Sequence, residues 1–349
     1  MKKINLILDY KDRFETKYTA VPYRSGMDHS LLQQYFREEG FNAEFLHYTD
    51  IDFNDPELAG QIFLYCSSED HDGYYKSFIE DIIFGISLAG GFVIPDYKYL
   101  RAHHNKVFME ILRDLSDNDG LKNIASDYFG AIEELELKKD KLENGQYVVK
   151  PAMGSMSKGI FLAQNYKDIY QKIKSIIRTR NYKDEFKDRY RKTKYKGFVS
   201  ESLYRKKFLV QNLIPNLQGD WKILIYNGKY YPLSRKNRKN DFRASGGGQL
   251  AYTRELPPGM LDFAKRTYHT FNSPNISIDI AFDGKSYYLI EIQFLHFGTY
   301  TIEHSEFYFV HNGTNWNIIE EKSIVEKEYA RSVAEFIKNG CHIRKIDAV

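Results

Sequence analysis

Residues 276–294 read ISIDIAFDGKSYYLIEIQF, and this stretch decides the fold. Two apolar runs flank Asp283-Gly284, a dipeptide that favours the left-handed backbone of a tight hairpin turn. The stretch therefore predicts two antiparallel strands. Three polar side chains stand isolated among apolar neighbours in them: Asp279, Glu291 and Gln293. Glu291 and Gln293 are two residues apart, so a regular strand points both to one face. An Asp, a Glu and an amide oxygen make a hard-oxygen set suited to Mg2+. A half-buried strand with polar residues facing water is the bland alternative. Asp279 argues against it, because an unpaired carboxylate inside an apolar run is costly.

Moving upstream, YVVKP, GIFLAQ, KFLVQNL, WKILIYN and KYYPLSR read as short strands. Asn227-Gly228 joins two of them as a second hairpin. A helix is expected near 258–271, and another at roughly 321–338 ahead of a basic tail. Residues 99–140 read as mostly helical and charged. The first hundred residues have a different rhythm. KINLIL (3–8), FNAEFLHY, QIFLYCSS and FVIPDY read as strands, with helices at 28–39 and 75–89 stopped by Gly40 and by Gly90-Gly91. Strand-helix alternation implies a parallel sheet covered on both faces. The expected organisation is an α/β domain over 1–98, a smaller α+β unit over 99–208, and a larger one over 209–349.

Composition bounds the function only loosely. The chain has 349 residues, 42% hydrophobic and 28% charged, with a net charge of +3. These values suit a soluble globular protein with room for two or three domains, and the charge is too small to indicate nucleic acid. Two distant cysteines, Cys66 and Cys341, make neither a disulfide framework nor a zinc signature, so a reduced, cytoplasmic chain is expected. MKKINLILDYKDRF reads as a first strand rather than a signal peptide, since Asp9, Lys11 and Asp12 break its apolar run. No segment reaches the apolar length of a membrane span. Residues 165–196 carry 12 Lys/Arg against 4 Asp/Glu. They read as a basic, solvated insertion, with a lid or a docking surface for an acidic partner as the functional alternative.

Four further elements carry chemistry. VVKPAMGSMSKGI (148–160) delivers Lys150 from a strand into a Gly/Ser-rich loop, where small residues let backbone N–H groups approach phosphate oxygens. Asn105-Lys106 stands at a helix start. LVQNLIP (209–215) is a buried strand leaving at a proline, followed by Asp220. SRKNRKNDFRASGGG (234–248) is basic and glycine-rich. Each, taken singly, is also an ordinary loop, strand or surface residue.

The order of these elements resembles the ATP-grasp superfamily, within it the glutathione synthetase and ribosomal-protein glutamate ligase branch, over roughly residues 100–300. The resemblance implies an α+β ATP-grasp fold, two α+β subdomains gripping ATP, preceded by an α/β domain with a parallel sheet. It implies Lys106 and Lys150 on the ATP phosphates, with Gly154 and Ser155 in the flap over them. Gln211, Asn212 and Leu213 would line the adenine pocket, and Asp220 would bind the ribose. Asp279, Glu291 and Gln293 would hold Mg2+, or Mn2+. NDFRASGGG is close to the branch's arginine segment, which gives Arg243, and more loosely Arg235, the γ-phosphate and the carboxylate under attack.

Two departures stand out: Gln293 replaces the usual Asn, and FLHFGTY replaces a small turn that often shapes the acceptor pocket. The implied activity is an ATP-dependent carboxylate–amine ligase working through an acyl phosphate, with a small-molecule or peptide carboxylate and an amine acceptor as partners. No nucleic-acid partner is expected, and homo-oligomerisation is left open. An ATP-grasp kinase, a catalytically inactive nucleotide-binding protein and a polyanion-binding module are the rival readings.

Overall fold

The computed structural model describes residues 1–154, 158–237 and 249–340. Internal packing divides the chain into two compact units, one of Met1–His103 with Leu217–Val349, the other of His104–Asn216.

The first unit opens with β1 (Lys2–Leu8), α1 (His29–Glu38), β2 (Phe41–His47), β3 (Ile62–Tyr65), α2 (Tyr74–Leu88), β4 (Phe92–Ile94) and α3 (Tyr97–Ala102). The four strands form the expected parallel sheet, in the order β2-β1-β3-β4. Local chemistry sets the helix limits. Asp28 accepts the Leu31 N–H at 2.9 Å to start α1, and Gly40 ends it with a φ of +90°.

The second unit contains α4 (Lys106–Asp114), β5 (Ser126–Phe129), α5 (Ile132–Glu136), β6 (Tyr147–Pro151), β7 (Phe161–Ala163), α6 (Tyr166–Ile177), α7 (Tyr182–Lys194) and β8 (Phe208–Asn212). Its strands make an antiparallel sheet in the order β5-β8-β6-β7. Strand β5 departs from the mostly helical expectation for 99–140. Its four residues are too few to show an alternation, and pairing with β8 decides their conformation. The basic segment 165–196 is also not a solvated insertion throughout. Ile169, Ile173 and Ile177 of α6 are fully buried in one core with Val149, Phe208 and Val210. Their spacing of four is a helix face, which the charge of the segment conceals.

The chain then returns to the first unit with β9 (Gly219–Tyr226), β10 (Lys229–Lys236), β11 (Leu250–Ala251), α8 (Met260–Thr270), β12 (Asn275–Phe282), β13 (Tyr287–Gln293), α9 (Tyr300–His304), β14 (Tyr308–His311), β15 (Trp316–Ile319) and α10 (Val325–Lys338). These strands form an antiparallel sheet, β13-β12-β9-β10-β14-β15, with β11 on β10. Both expected hairpins are present, and Asn227 and Gly228 carry φ of 30° and 85° at the β9–β10 turn. The β14–β15 hairpin and α9 went unread in the sequence. Ile4 and Leu6 of β1, Phe36 of α1, Leu224 of β9 and Val333 of α10 belong to one core, so the N-terminal and C-terminal segments of this unit are packed together. No described helix is long and apolar enough to cross a membrane. Cys66 is free and buried, and burial pushes its thiol up to about 12, far from a reactive thiolate. Cys341 lies outside the described residues.

Candidate functional site

The first unit gathers a buried charge cluster on its antiparallel sheet. Strand register sets it: Asp220 of β9 lies opposite Arg235 of β10, Lys222 of β9 opposite Asp279 of β12, and Asp279 opposite Glu291 of β13. Arg235 donates from Nε to Asp220 Oδ1 at 2.5 Å and pairs through Nη2 with Asp279 Oδ2 at 2.7 Å. Lys222 donates to Ser277 Oγ at 2.6 Å. Its Nζ lies 3.6 Å from Asp279 Oδ1, beyond hydrogen-bond length, so that buried carboxylate oxygen has no hydrogen-bond partner among the described residues.

A β-bulge shapes this corner. The β12–β13 register shifts between Asp279 and Ile280, leaving Ile290 as the extra residue on β13. Leu289 and Ile292 are both buried although three apart, while Glu291 and Gln293 keep partial exposure. A bulge that re-aims side chains beside a polar cluster is a recurrent device at functional sites.

The electrostatics of the two aspartates differ. Burial drives the Asp220 carboxyl up, against the pull of Arg235, to about 6. Asp279 is equally desolvated, but Arg235 and Lys222 together outweigh burial and hold it below the ordinary carboxylate range. Asp279 therefore stays ionised near neutral pH. The donor set fits a hard divalent cation. The described residues hold no group of three His, Cys, Asp or Glu placed for a metal. A cation here would take Asp279, Glu291 and the Gln293 amide, and complete its shell from nucleotide and water, as Mg2+ commonly does.

The second unit gathers lysines around the start of α4 and the loop after β6. The Lys106 backbone N–H donates to Ala152 O at 2.9 Å, and its ammonium donates to Gly154 O at 2.6 Å. Gly154 has a φ of +128°, a backbone that an L side chain rarely adopts. Lys150 lies on β6 opposite Leu209 of β8. Lys207, which the sequence reading passed over, stands at the same place. Its carbonyl accepts the Ala152 N–H at 2.9 Å, and its ammonium donates to Asn105 Oδ1 at 3.3 Å. The signal for it was the lysine pair Lys206-Lys207, one residue ahead of LVQNLIP. Ser155 lies outside the described residues.

Gln211 has a different neighbourhood from the one expected. Its side chain is buried and donates to Glu110 Oε1 and to Ser126 Oγ, both at 2.9 Å. Glu110 is also ion-paired with Arg113. Burial raises the Glu110 pKa, opposed by the charges of Arg113 and Lys150. The Gln211 amide thus belongs to an internal polar network. Asn212 is exposed, Leu213 is half-buried, and their N–H groups donate to Ala125 O and Gln146 O at 3.0 and 2.9 Å. Asp220, expected at a ribose, has its carboxylate committed to Arg235. Arg243 lies outside the described residues.

By sequence the chain matches no protein-family model and no curated protein. By structure it is similar to D-cycloserine synthetase DcsG, with a TM-score of 0.53, 11% identity, and 95% of this chain and 99% of that one covered. It is similar to a RimK domain ATP-grasp protein from Sphaerobacter thermophilus, with a TM-score of 0.50, 11% identity and coverage of 96% and 99%. It is likewise similar to D-alanine–D-alanine ligase from Bacillus anthracis complexed with ATP, with a TM-score of 0.50, 12% identity and full coverage of both chains. The chain has the ATP-grasp fold. The ATP-grasp likeness runs over nearly the whole length, so the parallel sheet that precedes the grasp elements is included in it.

Proposed function

We propose that this ATP-grasp protein is an ATP-dependent carboxylate–amine ligase. The carrying observation is the Asp220–Arg235–Asp279 cluster with Glu291 beside it: a largely buried, ionised carboxylate, one of whose oxygens has no hydrogen-bond partner among the described residues, flanked by a second carboxylate and two cations. Fold likeness to ligases supports the reading without supplying the substrate. The division into 1–98, 99–208 and 209–349 is proposed as a division of labour. Lys106 and Lys150, with Lys207 added, neutralise phosphate charge, and Gly154 gives the loop its close approach. Asn212 and Leu213 supply the adenine contacts. Asp220 holds the Arg235 guanidinium in place. Asp279, Glu291 and Gln293 are the ligands for Mg2+ or Mn2+, which when bound supplies charge neutralisation at the phosphates.

In the reaction, a carboxylate oxygen attacks the γ-phosphorus and ADP leaves. The amine then attacks the acyl carbon of the acyl phosphate, and phosphate departs with the original carboxylate oxygen. Arg243, from the sequence pattern, is assigned to the developing phosphoryl charge, where a guanidinium fork can span phosphoryl and acyl oxygens together, and Arg235, already held by Asp220 and Asp279, adds positive charge. Positioning and charge neutralisation supply the catalysis, with no covalent enzyme intermediate. The test is release of ADP against pools of amino acids and carboxylic acids, with Glu291→Gln as control. An amide product with free phosphate supports a ligase, and a stable phosphorylated product replaces it with a kinase.

A further inference from the structure

Helix α7 in the second unit is built inside out. The one side chain it buries is Asp188. Asp188 is ion-paired with Arg180 and, at 3.1 Å, with Arg191, and Glu185 is ion-paired with Arg178. Asn181 caps the helix by accepting the Asp184 N–H at 3.0 Å. Ionic contacts and a cap therefore fix the helix, and all three of its acidic residues are buried or partly buried. Its aromatic residues are left outside. Tyr182, Phe186 and Tyr190 are 81%, 73% and 59% exposed. Spaced by four, they lie along one side of the helix, about 6 Å apart along its axis. Lys183, Lys187, Arg189, Lys192 and Lys194 are exposed on the same helix. The outward surface thus carries aromatic rings and positive charge without a single fully exposed carboxylate.

We infer that the exposed aromatic-basic face of α7 is a docking surface for an acidic polypeptide segment that carries apolar side chains. Exposed rings lose contact with water when a partner covers them, and tyrosines and arginines are the residues that anchor protein interfaces. The one-signed charge selects a partner rich in Asp and Glu and speeds its approach. Two other polyanions fit less well. Single-stranded nucleic acid stacks successive bases on rings in a groove, whereas these rings stand widely spaced on a convex helix. A lipid surface needs a strongly apolar face, whereas two of the three rings here are tyrosines with polar hydroxyls. This docking surface is independent of the ligase assignment, since it needs neither nucleotide nor metal.

The test uses the full chain, immobilised without nucleotide, and a displayed library of random twelve-residue peptides. The expected result is enrichment of peptides that combine Asp or Glu with large apolar residues. A synthetic peptide from that set binds the full chain, and binding weakens at least tenfold in 0.5 M salt. Binding also falls at least tenfold in the triple variant Tyr182→Ser, Phe186→Ser, Tyr190→Ser, whose thermal melting is unchanged because none of the three is buried. A second variant, Lys183→Glu with Lys187→Glu, both three residues from a ring of the aromatic row, loses the acidic peptide while retaining the aromatic residues. Selection of no peptides, of peptides without acidic bias, or of the same peptides by the triple variant overturns the inference. So does tighter binding, lost in the same variants, to a twenty-nucleotide oligouridine or to vesicles of phosphatidylserine.

Discussion

Arg235 of β10 and Asp279 of β12 are joined across the intervening strand β9, guanidinium Nη2 to carboxylate Oδ2, at 2.7 Å. The same guanidinium holds Asp220. Arg235 therefore bridges two largely buried carboxylates, with Lys222 as a second cation near Asp279, and breaking such a set by removing one member is far more costly than its net contribution to stability. Arg235→Met is expected to lower unfolding free energy by about 3 kcal/mol in chelator. Millimolar Mg2+ should restore part of that loss, because the metal replaces the missing charge beside Asp279. Urea denaturation with and without Mg2+ checks this; equal stability of variant and parent in chelator contradicts it.

Glu15 gives a pH signature of its own. The carboxyl is buried, and desolvation raises it to about 8 although it accepts the His296 backbone N–H at 2.8 Å. Its pKa is higher folded than unfolded, so the folded state holds the proton over the interval from about 4.5 to about 8. Stability is then lost as pH rises through that window. Glu15→Gln keeps an acceptor for His296 and removes the ionisation. The variant should match the parent near pH 5 and exceed it above pH 8, by on the order of 3 kcal/mol. Thermal melts at the two pH values decide, and a variant less stable than the parent at high pH refutes the assignment.

Nucleotide binding should stabilise the fold. Mg-ATP at roughly a hundred times its Kd is expected to add about 3 kcal/mol. Lys150→Ala and Lys106→Ala should each abolish most of that gain, and Lys207→Ala a smaller part. Calorimetric titration and thermal shift measure it. A well-folded preparation with no shift on any nucleotide would count against the ATP assignment.

The Gln211 network makes a separate claim. Gln211→Ala deprives buried Glu110 of a hydrogen-bond donor, with an expected loss of about 1–3 kcal/mol in stability. The side chain faces Glu110 and Ser126, so ATP affinity should change less than twofold. A large loss of affinity with unchanged stability would place the amide in the nucleotide pocket instead.

Much of this was legible in the sequence, for identifiable reasons. Asp-Gly and Asn-Gly turns fixed both hairpins, and glycine stops fixed α1 and α2. Polar residues isolated in apolar runs pointed to Asp279, Glu291 and Gln293. The rest depended on tertiary register. The four residues of β5 show no alternation and become a strand by pairing with β8. The bulge beside Asp279 leaves no compositional trace. The pairing of Asp220 with Arg235 follows from the β9–β10 register, which the sequence alone does not show. In α6, twelve residues of mixed charge hid an isoleucine face that only the core reveals.

The central claim is activation of a carboxylate, and hydroxylamine tests it most directly because it substitutes for the unknown amine. The chain is incubated with Mg-ATP, hydroxylamine and pools of carboxylic acids, one acid labelled with ¹⁸O once a responding pool is found. The account predicts hydroxamate and ADP in equal amounts, ¹⁸O in the released phosphate, and loss of both products by orders of magnitude in Glu291→Gln, whose fold is retained. ADP formed with the label wholly in the organic product, or undiminished hydroxamate from Glu291→Gln, would contradict it.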